Sequence, residues 1–508
     1  MVIRRKHLAG VALGSLVLGG VLMALIAGLG SPGIPDRRIV DAAEHQDMGL
    51  VRTLLVNGVD ANSKQPDGAT ALHWAVHWND IATAEVLIGE GANVNAVNQS
   101  GESPLSLACG NGNATMVQAL VDHGADTNRA ASSGETPLMR CVRSGRVDAV
   151  KILLGHDAQV NAKDKEHGRT ALMWAVVEKR AEMVQALIEG DADIHVRSNE
   201  GLDALMLAAR VGDAMSAELL VGAGANANER GPQGMTALVL AAMNGQQEVG
   251  LLLLEKNADA NARDDYGATA LHYAVTKGIS VLNGVRYADD VSALFRPSDI
   301  ALIEALLRHG ANPNVQLEKA PPVGGAGSPA AAGATPYLLA AASHDVTVMR
   351  MLVDAGADPK IRTVTGLTPL MVAAGAGRME DLSENEKQAA LEAVQLAIEL
   401  GADVGAMNED GLTALHAASA KGADTVVQFL IAKGAKIDVR DKYQRTPLSI
   451  AAGERLPWIP DGQRLSDMPQ PSTRDLLLKL GATPLDTPGY FTPPSDVHDA
   501  EHELTAQP

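Results

Sequence analysis

Gly91-Ala92-Asn93-Val94-Asn95 decides how this chain is read, because the phrase does not stand alone. It returns as Gly124-Ala125-Asp126-Thr127-Asn128 and as Gly224-Ala225-Asn226-Ala227-Asn228. A second phrase, Thr-(Ala/Pro)-Leu or its variant Ser103-Pro104-Leu105, follows a short stretch after each. The residue that closes each unit falls at Gly58, Gly91, Gly124, Asp157, Asp191, Gly224, Asn257, Gly310, Gly356, Gly401, Gly434 and Gly481. That makes twelve units, and the regular spacings are 33 or 34 residues. A fixed period in this range is the mark of stacked repeats, each too small to bury its own apolar face.

Each phrase has a physical role. A helix that stops and turns needs a residue in the left-handed region; Gly enters it freely, and Asn or Asp tolerates it better than other side chains. The changes at Asp157, Asp191 and Asn257 therefore keep the turn. The second phrase opens the first helix of a unit, as in Thr70-Ala71-Leu72-His73, Thr136-Pro137-Leu138, Thr269-Ala270-Leu271-His272, Thr368-Pro369-Leu370 and Thr413-Ala414-Leu415-His416. Threonine caps the open amides, proline fits the first turn where no donor is lost, and leucine enters the core. Small pairs such as Ala208-Ala209 and Ala373-Ala374 let neighbouring helices approach closely. The second helix carries a one-sided apolar stripe, as in Met116, Val117, Leu120 and Val121.

The 33-residue unit, the Thr-Pro-Leu-His-x-Ala opening and the Gly-Ala-Asp-Val-Asn close resemble ankyrin repeats over residues 36–485. The resemblance implies an all-α repeat, an ankyrin solenoid of about twelve helix-pair units with β-hairpin fingers and a concave groove. It also implies that Thr70 with His73, Thr269 with His272 and Thr413 with His416 are structural, the histidines bonding within and between repeats. His73 and His77 stand four apart, a chelating spacing, but no third ligand is identifiable, so no metal site is expected.

Composition bounds function. The chain has 42 basic and 61 acidic residues, a net charge of −19, and only 3% aromatics. Such a surface disfavours nucleic acid. Arg4, Arg5 and Lys6 precede an uncharged run over 8–30, broken by Pro32, Gly33 and Pro35. The reading is a basic segment (1–7), a signal peptide or a transmembrane anchor (8–30), and a linker (31–35). Export follows from either, to a periplasmic, inner-membrane-anchored or secreted location in a bacterial envelope. Cys109 and Cys141 occupy alanine-like places and read as free, small buried residues.

The period breaks near 279–298, 317–332, 378–387 and 454–474. The first, third and fourth insertions fall between paired helices, on the edge opposite the fingers; 317–332 enlarges one finger. The first unit reads as a polar cap built on Ile39, Val40, Leu50, Val51, Leu54 and Leu55. Residues 486–508, rich in proline and acid, read as a disordered tail.

The resemblance places recognition on the ends of the first helices (His77, Trp78, Arg143, Glu178, Arg210, Met243, Lys277, Lys421). It also places it on finger tips that include Asp67, Lys165, His167, Arg230, Asp265, Tyr266, Asp410 and Tyr443. His77, Trp78, Arg143, Arg210, Tyr266 and Tyr443 are the candidate partner-binding residues, because Trp, Tyr and Arg dominate interface hot spots. Trp74, Trp174 and Tyr273 read as packing. No phosphate loop, nucleophile elbow or metalloprotease motif stands outside the repeats. The expected function is a non-catalytic protein-binding scaffold without cofactor, nucleic acid or small-molecule substrate. The alternatives are a self-associating envelope element and, third, an enzyme acting through the C-terminal insertions.

Overall fold

The computed structural model describes residues 37–275, 298–321, 331–378, 381–453 and 469–484. The N-terminal basic and apolar segments, the insertion at 279–297, most of that at 454–474 and the tail lie outside the described residues. No helix among the described residues is long and apolar enough to cross a membrane.

The described residues form twelve helix pairs. The chain divides into two compact units, Met1–Glu166 and His167–Pro508. The first unit holds the pairs Arg38–Glu44 with Met48–Val56, Ala71–His77 with Ile81–Gly89, Pro104–Asn111 with Ala114–Asp122, and Pro137–Ser144 with Val147–Leu154. The second holds the other eight, from Ala171–Val177 with Ala181–Glu189 to Pro447–Ala451 with Pro471–Lys479. We number the pairs as repeats one to twelve.

The repeat phrases do the work their chemistry allows. Thr136 and Thr170 accept the amides of Met139 and Met173 as helix caps. Asp80, Asp299 and Asp345 cap second helices in the same way. Such caps typically contribute about 1 kcal/mol each. All twelve unit-closing residues have φ between 56° and 101°, including Asp157, Asp191 and Asn257. The leucines of the opening phrase (Leu72, Leu105, Leu138, Leu172, Leu205, Leu238, Leu271, Leu370, Leu415 and Leu448) are all buried. So are the second-helix leucines Leu87, Leu120, Leu153, Leu187, Leu220, Leu253 and Leu430. Each such side chain contributes roughly 1.5–3 kcal/mol through apolar burial.

Four expectations are corrected. The fingers are not β-hairpins in the sense of strand ladders: among the described residues there is no strand, only the isolated bridge Lys64–Thr70. Most fingers close with one bond across the loop and one inside the tight turn, as when the Asn98 amide donates to Glu102 O and the Gly101 amide to Asn98 O. Side-chain oxygens take the other amides: Asp264 Oδ1 accepts from both Tyr266 and Ala268. One cross-bond per finger builds a turn and leaves nothing for a ladder.

Second, Cys109 and Cys141 are not free; they form a disulfide with Cα atoms 4.3 Å apart, clipping the first helices of repeats three and four. Close stacking of small residues brings both sulfurs into reach. Third, the insertion near 378–387 does not lie wholly between the two helices, for its last four residues belong to the second of them. The second helix of repeat ten runs Glu384–Glu399, 16 residues against nine in most others. Ser383 and Glu386 cap it reciprocally, and Glu386 pairs with the buried Arg378. Fourth, Leu50 is 43% exposed and so lies outside the core of repeat one, which rests on Ile39, Val40, Val51 and Leu54. The enlarged finger at 317–332 is tied at its base, where the Leu317 amide donates to Ala334 O and the Gly333 amide to Leu317 O.

Candidate partner-binding surface

The three phrase histidines share one geometry. In repeat two, His73 Nδ1 accepts the Thr70 amide at 3.1 Å and lies 2.9 Å from Thr70 Oγ1. An acceptor nitrogen carries no proton, so Nε2 carries it and donates to Glu102 O at 3.2 Å. His272 repeats this between Thr269 and Val315 O, and His416 between Thr413 and Arg445 O. Burial lowers all three pKa values, those of His272 and His416 to about 4. These rings bind one repeat to the next, and their nitrogens are all spoken for. Among the described residues no group of three metal-ligating side chains converges.

The first helix of repeat two ends in an aromatic cluster. The Trp74 and Trp78 rings stack with centroids 6.5 Å apart, and His77 meets both edge-on at 5.6 and 4.7 Å. Trp78 is 43% exposed, and its indole N–H donates to Glu44 O in repeat one. Trp74 donates to Gln65, which donates to Glu44. Trp74 is half-buried and belongs to this surface as well as to packing. Two aromatic faces are held by hydrogen bonds to the neighbouring repeat, so little side-chain entropy remains to be lost on contact.

Charged residues near the first-helix ends of each unit are interlocked. In repeats three and four, Glu102 pairs with Arg140 at 2.5 Å and Glu135 with Arg143 at 2.9 Å. In the second unit Arg210 holds Glu200 at 2.5 Å, lowering the Glu200 pKa. Trp174, also half-buried, carries the Arg169 guanidinium at 5.1 Å. Tyr266 is half-buried under Lys319, its backbone oxygen bonded to the next finger. Tyr443 is 49% exposed, with Lys442 Nζ at 5.1 Å and Arg445 Cζ at 4.8 Å from its ring. Tyr273 is buried and donates to Asp264 at 2.6 Å. Lys421 is the misplaced candidate: it is only 2% exposed, its stem filling the space above Gly375, which has no side chain. Lys277 lies outside the described residues.

The candidate residues therefore do not converge on one pocket. They fall on separate repeats of each unit, a distribution suited to contact with a protein surface. A family described as ankyrin repeats (three copies) matches residues 39–131, 72–164, 128–198, 205–288 and 382–459, more than half of the chain. This chain belongs to the ankyrin-repeat family.

Ankyrin repeats point to a protein-binding scaffold. A transient receptor potential cation channel subfamily A member 1 homolog from Caenorhabditis elegans is 33% identical over 115 residues, 23% of this chain and 8% of that protein. Alpha-latroinsectotoxin-Lt1a from Latrodectus tredecimguttatus is 33% identical over 122 residues, 24% of this chain and 8% of the toxin. The chain thus matches under a tenth of the length of these relatives. The crystal structure of the human ASB11 ankyrin repeat domain is 28% identical, aligning with 45% of this chain and 98% of that domain at a TM-score of 0.39.

Proposed function

We propose that this ankyrin-repeat protein is an exported, non-catalytic scaffold that binds a protein partner through first-helix ends and finger tips. The observation that carries the reading is the Trp74–His77–Trp78 cluster, half-exposed and fixed to the preceding repeat. Anchored, partly exposed tryptophans are what interface hot spots are made of. Export is supported by Arg4, Arg5, Lys6 and the apolar run over 8–30. The Cys109–Cys141 disulfide supports it too, since such bonds persist in oxidising compartments. The segment over 8–30 either anchors the protein or is removed.

A photo-crosslinking residue placed at Trp78 in intact cells tests the reading. A discrete crosslinked protein is expected, together with loss of that partner in the Trp78→Ala/Tyr266→Ala chain. A partner captured equally well by the double variant overturns the surface assignment.

A further inference from the structure

The finger tips are chained to one another. In the second unit the backbone oxygen of most tips accepts the amide of the next finger; Glu200 O is the exception, since Pro232 stands opposite it and has no amide to give. Asn199 donates to His167 O, Asp265 to Gln233 O, Glu318 to Tyr266 O, Val364 to Ala332 O, Glu409 to Thr365 O and Lys442 to Asp410 O, at 2.8–3.2 Å. Among the described residues no amide carries the series onto Tyr443 O. Among the described residues the finger over 436–445 is therefore the open edge of a ladder of backbone bonds, and open edges take extended segments.

This finger also departs from most others at two positions, the first of them shared with Gln159. Where Asn93, Asp126, Asn226, Asp259, Asn312, Asp358 and Asp403 accept an amide two residues on, it has Lys436, which accepts nothing. At the left-handed tip the other fingers carry glycine, such as Gly366 and Gly411; here Gln444 sits at φ 65°. A Cβ on Gly411 would lie 3.1–3.2 Å from the backbone of Asp441 and Lys442, the next finger. After the finger over 436–445 no further finger stands among the described residues, and the backbone penalty of a left-handed non-glycine at Gln444 remains. Two turn-making residues have been given up for a lysine and a glutamine.

The charge here runs against the chain. Lys433, Lys436, Arg440, Lys442 and Arg445 face Asp438, Asp441 and Asp410 in a protein of net charge −19. Asp441 is buried and pins the turn through the Tyr443 and Arg445 amides. It also holds the Arg445 guanidinium, and Asp410 pairs with Lys442. Asp438 is occupied by Thr483. Lys436 and Arg440 are exposed and meet no carboxylate among the described residues.

We propose that the finger over 436–445 is a docking edge for an extended acidic segment of a partner protein, which donates a backbone amide to Tyr443 O and sets its carboxylates against Lys436, Arg440 and Lys442. This rests on the protein-binding reading above and names the chemistry of one contact. A peptide is favoured over a nucleic acid because it alone has a backbone amide to give Tyr443 O, and because its sparser charge meets less repulsion from the surrounding acidic surface.

The test is fluorescence anisotropy on the full chain with a labelled 12-residue peptide (~12, one finger plus flanks) alternating Glu with Thr or Val. Binding is expected to weaken roughly tenfold between low and physiological salt. It should also fall tenfold or more in Lys436→Glu/Arg440→Glu/Lys442→Glu, whose helicity checks folding. A Gln-for-Glu peptide should bind poorly, and so should one with proline at the central positions, because proline has no amide to give Tyr443 O. No binding by the unaltered chain, equal binding by the charge-reversed variant, or tighter binding of a thymidine oligonucleotide would overturn the assignment. So would binding that appears only once Asp496, Asp499, Glu501 and Glu503 are made amides, which would give the edge to the chain's own C-terminal segment. A partner crosslinked at Trp78 that survives the charge reversal sinks this inference alone. Peptide binding without any Trp78 crosslink sinks the broader reading instead.

Discussion

His272 Nε2 donates to the backbone oxygen of Val315 at 3.1 Å, joining the first helix of repeat eight to residues 43 positions further along the chain. Its other nitrogen accepts the Thr269 amide, so the ring works only while neutral.

Protonation should therefore loosen the repeats. Burial lowers His272 and His416 from 6.5 to about 4. As pH falls through 6.5 the unfolded chain takes up protons that the folded chain refuses until about pH 4. The stabilisation is complete above 6.5 and is lost between 6.5 and 4. It is on the order of 3 kcal/mol per histidine. Urea midpoints should drop across this window, and His272→Gln/His416→Gln should remove most of the slope. A parent and variant with the same pH dependence would refute the coupling.

The Cys109–Cys141 bond closes a loop with a sequence separation of 32, for which chain entropy gives about 3–4 kcal/mol. Thiol titration of the unfolded, unreduced chain should find no free thiol. Reduction, or Cys141→Ala, should lower the melting temperature of the first unit. Two titratable thiols in protein purified from the cell would count against the bond.

Asn261 stitches two repeats. Its amide donates to Gly310 O at 2.9 Å and its oxygen accepts the Asn312 amide at 2.7 Å. Asn261→Ala should cost about 1–2 kcal/mol. Asn261→Asp keeps the acceptor and loses the donor, so its midpoint should fall between the two.

Gln444 at φ 65° bears a penalty that glycine avoids. Gln444→Gly should raise stability by up to about 1 kcal/mol, and Gln444→Val should lower it. A lower midpoint for the glycine variant would mean that the Gln444 side chain stabilises the turn.

Much of the fold was legible because the repeats restate one local rule. A left-handed closing residue can be recognised as Asp157 or Asn257 as easily as Gly91, since the constraint is a single backbone angle. The placement of Thr269 before His272 encodes its own cap in four consecutive residues. The surface was less legible. Lys421 occupies a position that faces outward in other repeats, and only the missing side chain at Gly375 draws it inside. Trp74 sits at a packing position, yet Trp78, one turn on, stacks on it and brings it to the surface. Comparing the fingers with one another would have flagged Lys436 and Gln444 from sequence.

By itself the sequence determined twelve helix pairs, their caps and turns, the buried leucines and the acidic balance. These depend on neighbours within a few residues or on a fixed period. Tertiary structure alone decided that Cys109 meets Cys141, that the fingers pair tip to tip rather than as strands, and that among the described residues Tyr443 ends that series. Such contacts join residues roughly one repeat apart through stacking distances that no local pattern records, because they depend on how closely small side chains let successive repeats approach.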